Sequence, residues 1–167
     1  MNLKKMLEDQ KKLDTAIFKN AGISEYPLEN IKLALLVELG ELANEDKSFK
    51  YWKKNKKTDR TKLLDEMADC LHFALSLENY YLKKYSDYDM SKYDFENAIA
   101  FKEMHKPTEK DITEAFLYAC TSITNADKDT LMVIIGLGIT LDISLEEMEK
   151  AYYKKHKENY KRQEEGY

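Results

Sequence analysis

Two cysteines, two prolines and five glycines are all that this chain of 167 residues holds of the types that staple, break or loosen a backbone. Cys70 and Cys120 form no close metal or redox pair. So few thiols suit a reducing cytoplasm better than a disulfide scaffold. With little Pro or Gly set against abundant Leu, Lys, Glu and Ala, helix is the favoured state. β-alternation is absent, and so is any repeat at a solenoid period. The longest apolar stretch, "LMVIIGLGITL" at 131–141, is too short and too interrupted by Gly to span a bilayer. The early lysines have no apolar run behind them, so no secretory signal and no membrane partner are expected. Nor is positive charge in excess. The net charge is −4, which makes no general case for nucleic-acid binding.

What is present points to one all-α domain over 1–167, long enough to bury a real core. Apolar positions Leu3, Met6, Leu7, Leu13, Ile17 and Phe18 fall at helical spacing, and Gly22 stops the run. Pro27 opens a second helix through "LENIKLALLVELGELANE". "KYWKKNKKTD" at 50–59 reads as a loop, and Thr61 to about Lys84 as a long helix. The polar, aromatic stretch 86–107 looks like an elaboration on the core. Helical patterns resume at about 109–126 and 128–141. Ser144 with Glu147 forms a capping box for the last helix.

The chemistry begins with acidic pairs. Glu38 and Glu41 are three apart on one helix, and Glu66 and Asp69 are three apart on another, so each pair shares a face. Glu45 lies about one turn beyond Glu41. With 31 acidic residues in the chain, roughly six such pairs arise by chance, and a lone pair is most simply a solvated face. The setting changes the weight. "LALLVELGELA" and "EMADCLHFALSL" are apolar on most sides, and an ionised carboxylate there costs several kcal/mol unless paired or bound to metal. Neither segment carries a Lys or Arg to neutralise it. Two helices presenting two carboxylates each can build an oxygen-rich cage for Mg²⁺ or Mn²⁺. A di-iron bundle would want a Glu-x-x-His motif on each of two helices, which Asp69-x-x-His72 only half imitates.

Two further features suit an anionic ligand. Lys155, Asn159 and Arg162, spaced by four and three, line one face of the last helix and suit phosphate oxygens. "FKYWKKNKK" at 49–57 sets the only Trp among lysines, where it could stack on a base. A solvated helix and a positive surface loop are the bland equivalents.

Together these segments resemble the all-α, MazG-like nucleoside triphosphate pyrophosphohydrolases and, more narrowly, the dimeric deoxyuridine triphosphatase (dUTPase) family. The resemblance rests on "MLEDQKKLD", "VELGELANEDKSFKYW", "LLDEMADCLHFALSL" and "YYKKHKENYKRQEEGY". The stretch from about 86 to 126 falls in the part that varies. The resemblance implies a dimeric helical bundle, with Glu38, Glu41, Glu66 and Asp69 as metal ligands and Glu45 as an accessory. It implies that Gln10 and Asp14 help read uracil, that Lys50 and Trp52 lie near base and phosphates, and that Phe73 packs on the sugar. Lys155, Asn159, Arg162 and Tyr167 are implied to bind phosphate, although His156 stands where the family often has Asn.

The implied reaction is Mg²⁺-assisted attack of water on the α-phosphorus of dUTP, giving dUMP and pyrophosphate in the cytoplasm. Glu38 or Glu41 is the implied base. A dCTP- or other dNTP-hydrolysing enzyme of the same fold is the near alternative. A helical binding or regulatory protein with merely decorative acids is the distant one.

Overall fold

The computed structural model describes residues 1–85, 106–125 and 127–166. Six helices and no strand occur among them: α1 (Leu3–Asn20), α2 (Leu28–Asp46), α3 (Arg60–Lys84), α4 (Glu109–Asn125), α5 (Thr130–Thr140) and α6 (Leu145–Glu164). The all-α expectation is met.

α1 starts where the Asn2 side chain accepts the Lys5 amide at 3.1 Å and ends before Gly22, whose φ of +68° suits a residue without Cβ. Its buried stripe is Leu3, Met6, Leu7, Gln10, Leu13 and Asp14. Two polar residues therefore stand in line with the core. α3 is capped by Asp59, whose carboxylate accepts the Thr61 and Lys62 amides at 3.0 and 3.3 Å. Buried residues lie on every side of α3, because α1, α2, α5 and α6 all pack against it. Truncating a fully enclosed side chain such as Leu71 to Ala there costs about 2–5 kcal/mol.

The apolar run 131–141 is consumed inside the chain. Leu131, Ile134, Ile135, Leu137, Gly138 and Ile139 are buried, so α5 is a core helix. At Gly138 the side chains of Met148 and Met67 fill the space that a Cβ would take. The Ser144–Glu147 capping box forms as its residues require, with the Glu147 amide donating to Ser144 Oγ at 3.2 Å and Glu147 Oε2 accepting the Ser144 amide at 2.9 Å. Arg60 Nη2 then bonds Glu147 Oε1 at 2.8 Å and ties the starts of α3 and α6 together.

Within the expected elaboration at 86–126, α4 buries Phe116, Ala119, Ser122 and Ile123 and packs on α2 and α5. It belongs to the core. The rest of the elaboration, 86–105, lies outside the described residues, as do Ala126 and Tyr167.

Candidate functional site

α2 and α3 pack along much of their lengths, and the acidic pairs meet at that contact. Glu38, Glu66 and Asp69 each offer an oxygen within 4.8 Å of the others. All three are half-buried. Burial and mutual repulsion both disfavour their charge. Burial first, then Asp69, Glu41 and Glu66, push the Glu38 carboxyl up to about 7. Glu66 is raised by burial, Glu41 and Asp69. Asp69 is raised by burial against the opposing pull of Lys155. Glu41 is exposed and outside the tight trio, yet its charge is felt by both Glu38 and Glu66. Glu45 sits 3.8 Å from Lys47 Nζ.

The counter-charge comes from across the fold rather than from the same segments. Lys155 Nζ lies 2.7 Å from Asp69 Oδ2 and 3.2 Å from Asp65 Oδ2, and Lys154 reaches Asp65 at 3.2 Å. Burial opposes the Lys155 charge, but bonding to Asp69 and Asp65 outweighs it and raises its pKa. One ammonium faces a surplus of carboxylates. Such a cluster suits a hard divalent cation, whose charge would relieve the repulsion the trio now carries.

Beside the trio opens a cleft of about 360 Å³. Its walls include Glu38 and Asp69, the half-buried ring of Phe73, and Lys155, Asn159 and Arg162 from α6. Gln10 and Asp14 line it from α1. Eight residues singled out from sequence therefore share one cavity.

Lys50 and Trp52 do not line that cavity. Lys50 is buried, and its Nζ bonds the Asn44 carbonyl at 3.0 Å and the Asn44 side-chain oxygen. Trp52 is 60% exposed and meets Tyr51 and Phe49 edge to face. In this conformation the loop holds no group in the cleft.

Sequence reasoning missed His72 and Tyr152. His72 Nδ1 lies 2.7 Å from Gln10 Oε1, and the Tyr152 hydroxyl donates to the same oxygen at 3.2 Å. Gln10 Nε2 in turn donates to Asp14 Oδ1 at 2.7 Å. Burial drives the His72 pKa down to about 3, so the ring is neutral. Burial lifts Asp14 to about 6, with Ser76 and Gln10 pulling the other way, so it is ionised at neutral pH. The signal was available: two polar residues on the apolar stripe of α1 must find partners in the core.

A helical bundle that sets clustered carboxylates from two packed helices against a Lys, an Asn and an Arg in one cleft defines a hydrolase of phosphorylated substrates. The cleft beside that cluster leaves room for a small phosphorylated ligand. The chain belongs to the dUTPase family, whose model matches residues 2–167. Among curated proteins none matches it. As a member it is a dUTP diphosphatase, and the family is generally dependent on a divalent metal. No helix among the described residues is long and apolar enough to cross a membrane.

Proposed function

We propose that Glu38, Glu41, Glu66 and Asp69 are the metal ligands and that dUTP lies in the cleft with its phosphates toward α6 and its base toward α1. The observation that carries this reading is that Glu38 and Asp69, two of the clustered carboxylates, share one cavity with Lys155 and Gln10. Mg²⁺, or Mn²⁺ in its place, would supply counter-charge for the triphosphate and lower the pKa of a bound water.

Lys155, Asn159 and Arg162 offer charged and amide donors to phosphate oxygens, with Tyr167 a further candidate. When substrate enters, Lys155 exchanges part of its bonding to Asp69 and Asp65 for phosphate. Water attacks the α-phosphorus, the bond to the bridging oxygen breaks, and dUMP and pyrophosphate leave. Glu38 takes the proton from that water. Glu45, one turn beyond Glu41 and beside Lys47, keeps an accessory role. Phe73 packs on the sugar and disfavours a ribose 2′-hydroxyl. Lys50 and Trp52 reach the nucleotide only if their loop rearranges.

The unit is one domain over 1–167 that works as a cytoplasmic homodimer. Leu33 and Val37, one turn apart on α2 and 62% and 51% exposed, support an apolar subunit contact there. Free Cys70 and Cys120 fit a reducing compartment. The test is pyrophosphate release from a panel of dNTPs and NTPs with and without Mg²⁺. Mg²⁺-dependent release from dUTP is expected. Turnover that persists in Glu38→Gln would show that the ligand set is wrong.

A further inference from the structure

We infer that Asp65 is a positioning residue: it keeps hold of the Lys155 ammonium when that ammonium leaves Asp69, and so eases entry of a divalent ion into the carboxylate cluster. The inference rests on the reading above that the cluster is the metal site, and it adds a residue outside the ligand set.

Asp65 and Asp69 stand four apart on α3 and share a face. Lys155 Nζ bonds both, at 2.7 Å from Asp69 Oδ2 and 3.2 Å from Asp65 Oδ2. The other Asp65 oxygen meets Lys154 Nζ at 3.2 Å. Each oxygen of Asp65 therefore serves a different lysine of α6. Burial pushes the Asp65 carboxyl up, but its bonds to Lys155 and Lys154 outweigh burial and hold it below the usual carboxylate range. Asp65 is an anion at neutral pH.

The same ammonium weighs on the metal site. Burial and the neighbouring acids raise Glu38 and Glu66, and the charge of Lys155 pulls both back. A cation that relieves the repulsion among these acids also opposes the arrival of any other cation. With a divalent ion on Asp69, Lys155 has to give up that bond. Its side chain is 12% exposed, so water replaces little of what is lost. An ammonium deprived of its partner in such a place carries a heavy penalty.

Asp65 removes much of that penalty, because its carboxylate already touches Nζ. Lys154 fixes the carboxylate through its second oxygen, so Asp65 stays in place while Lys155 changes partner. Held there, Lys155 remains in the wall of the cleft beside Asn159 and Arg162. The plain alternative is a surface clip between α3 and α6, and clips of that kind contribute little. Lys154 with Asp65 fits that description, the two side chains being 61% and 41% exposed. Lys155 does not, because it is shared with a carboxylate of the cluster.

The experiment measures Mn²⁺ affinity in the nucleotide-free, full-length protein, by electron paramagnetic resonance of the free ion. Wild type, Asp65→Asn, Lys155→Met and the double variant are compared. Asp65→Asn is expected to weaken Mn²⁺ binding about fivefold, because the displaced ammonium then has no carboxylate to go to. Lys155→Met is expected to tighten it. Added to Lys155→Met, Asp65→Asn should change affinity less than about twofold, since no ammonium is left to hold. An equal loss in both backgrounds means that the Asp65 charge acts on the ion directly, and overturns the inference. So does Asp65→Asn with wild-type affinity, the result expected of a surface clip. Circular dichroism confirms folding, and if Lys155→Met does not fold, Lys155→Gln takes its place. Wild-type protein that binds no Mn²⁺ would instead overturn the reading of the cluster on which the inference rests.

Discussion

Replacing Glu38 by Gln should make the metal-free protein more stable while removing its response to Mg²⁺. Glu38 titrates near 7, lifted by burial, Asp69, Glu41 and Glu66 above the ordinary 4.5. That gap corresponds to roughly 3 kcal/mol of repulsion and desolvation at alkaline pH. The side chain is substantially solvated, so screening reduces the figure to about 1–2 kcal/mol. The sign follows from proton binding. The folded state holds this proton more tightly than the unfolded chain, so the penalty is absent below about 4.5 and complete above about 7. At pH 8 without divalent ions, Glu38→Gln should melt about 3–6 °C higher than wild type, and the gap should close near pH 4.5. Saturating Mg²⁺, at a hundred times its dissociation constant, would stabilise wild type by about 2.7 kcal/mol and the variant much less. Differential scanning fluorimetry with chelator or Mg²⁺ at both pH values reads all of this. A variant that melts lower than wild type at pH 8 without metal refutes the repulsion argument. An equal Mg²⁺ shift in both proteins refutes the ligand assignment.

Asp14→Asn should also raise stability at pH 7.5, by up to about 3 kcal/mol, with the gain lost between pH 6 and 4 as wild-type Asp14 takes up its proton. Urea titrations across that window check it, and a gain independent of pH would argue against a buried charge. Lys155→Met removes the ammonium that lies 2.7 Å from Asp69, and kcat/KM for dUTP should fall about a hundredfold. The steady-state assay decides, with a drop under threefold counting against a phosphate role. A double substitution, Leu33→Lys with Val37→Lys, should halve the mass seen by light scattering and leave the helical circular dichroism intact. An unchanged mass would move the subunit contact away from α2.

The helices were legible because their signals are local. The capping box at Ser144, the stop at Gly22 and the apolar spacing of α1 each act within a turn or two of chain, and the folded ends agree with them. The placement of 131–141 was not legible in this way. An apolar helix without a polar face satisfies a core and a subunit contact equally, and only its packing against α3, α4 and α6 decides. The loop at 49–57 failed for a different reason. Composition says that Trp and lysines can meet a nucleotide, whereas the bond from Lys50 to Asn44 depends on backbone geometry that no spacing encodes.

The site divides along the same line. Glu38, Glu66 and Asp69 do come together, and as carboxylates on apolar helices they advertised themselves through desolvation cost. Their counter-charge did not, because Lys155 comes to Asp69 from a helix far along the chain. The polar pair on α1 lies between these cases. Gln10 and Asp14 interrupt an otherwise apolar stripe, which demands buried partners but does not name them. Folding supplies His72 from α3 and Tyr152 from α6, so three helices meet at the Gln10 amide. The carboxylate trio is half-buried, where a charged ligand can reach it, while the Gln10 amide lies in the core. Charge near solvent and neutral polar groups at depth is the division that desolvation cost favours.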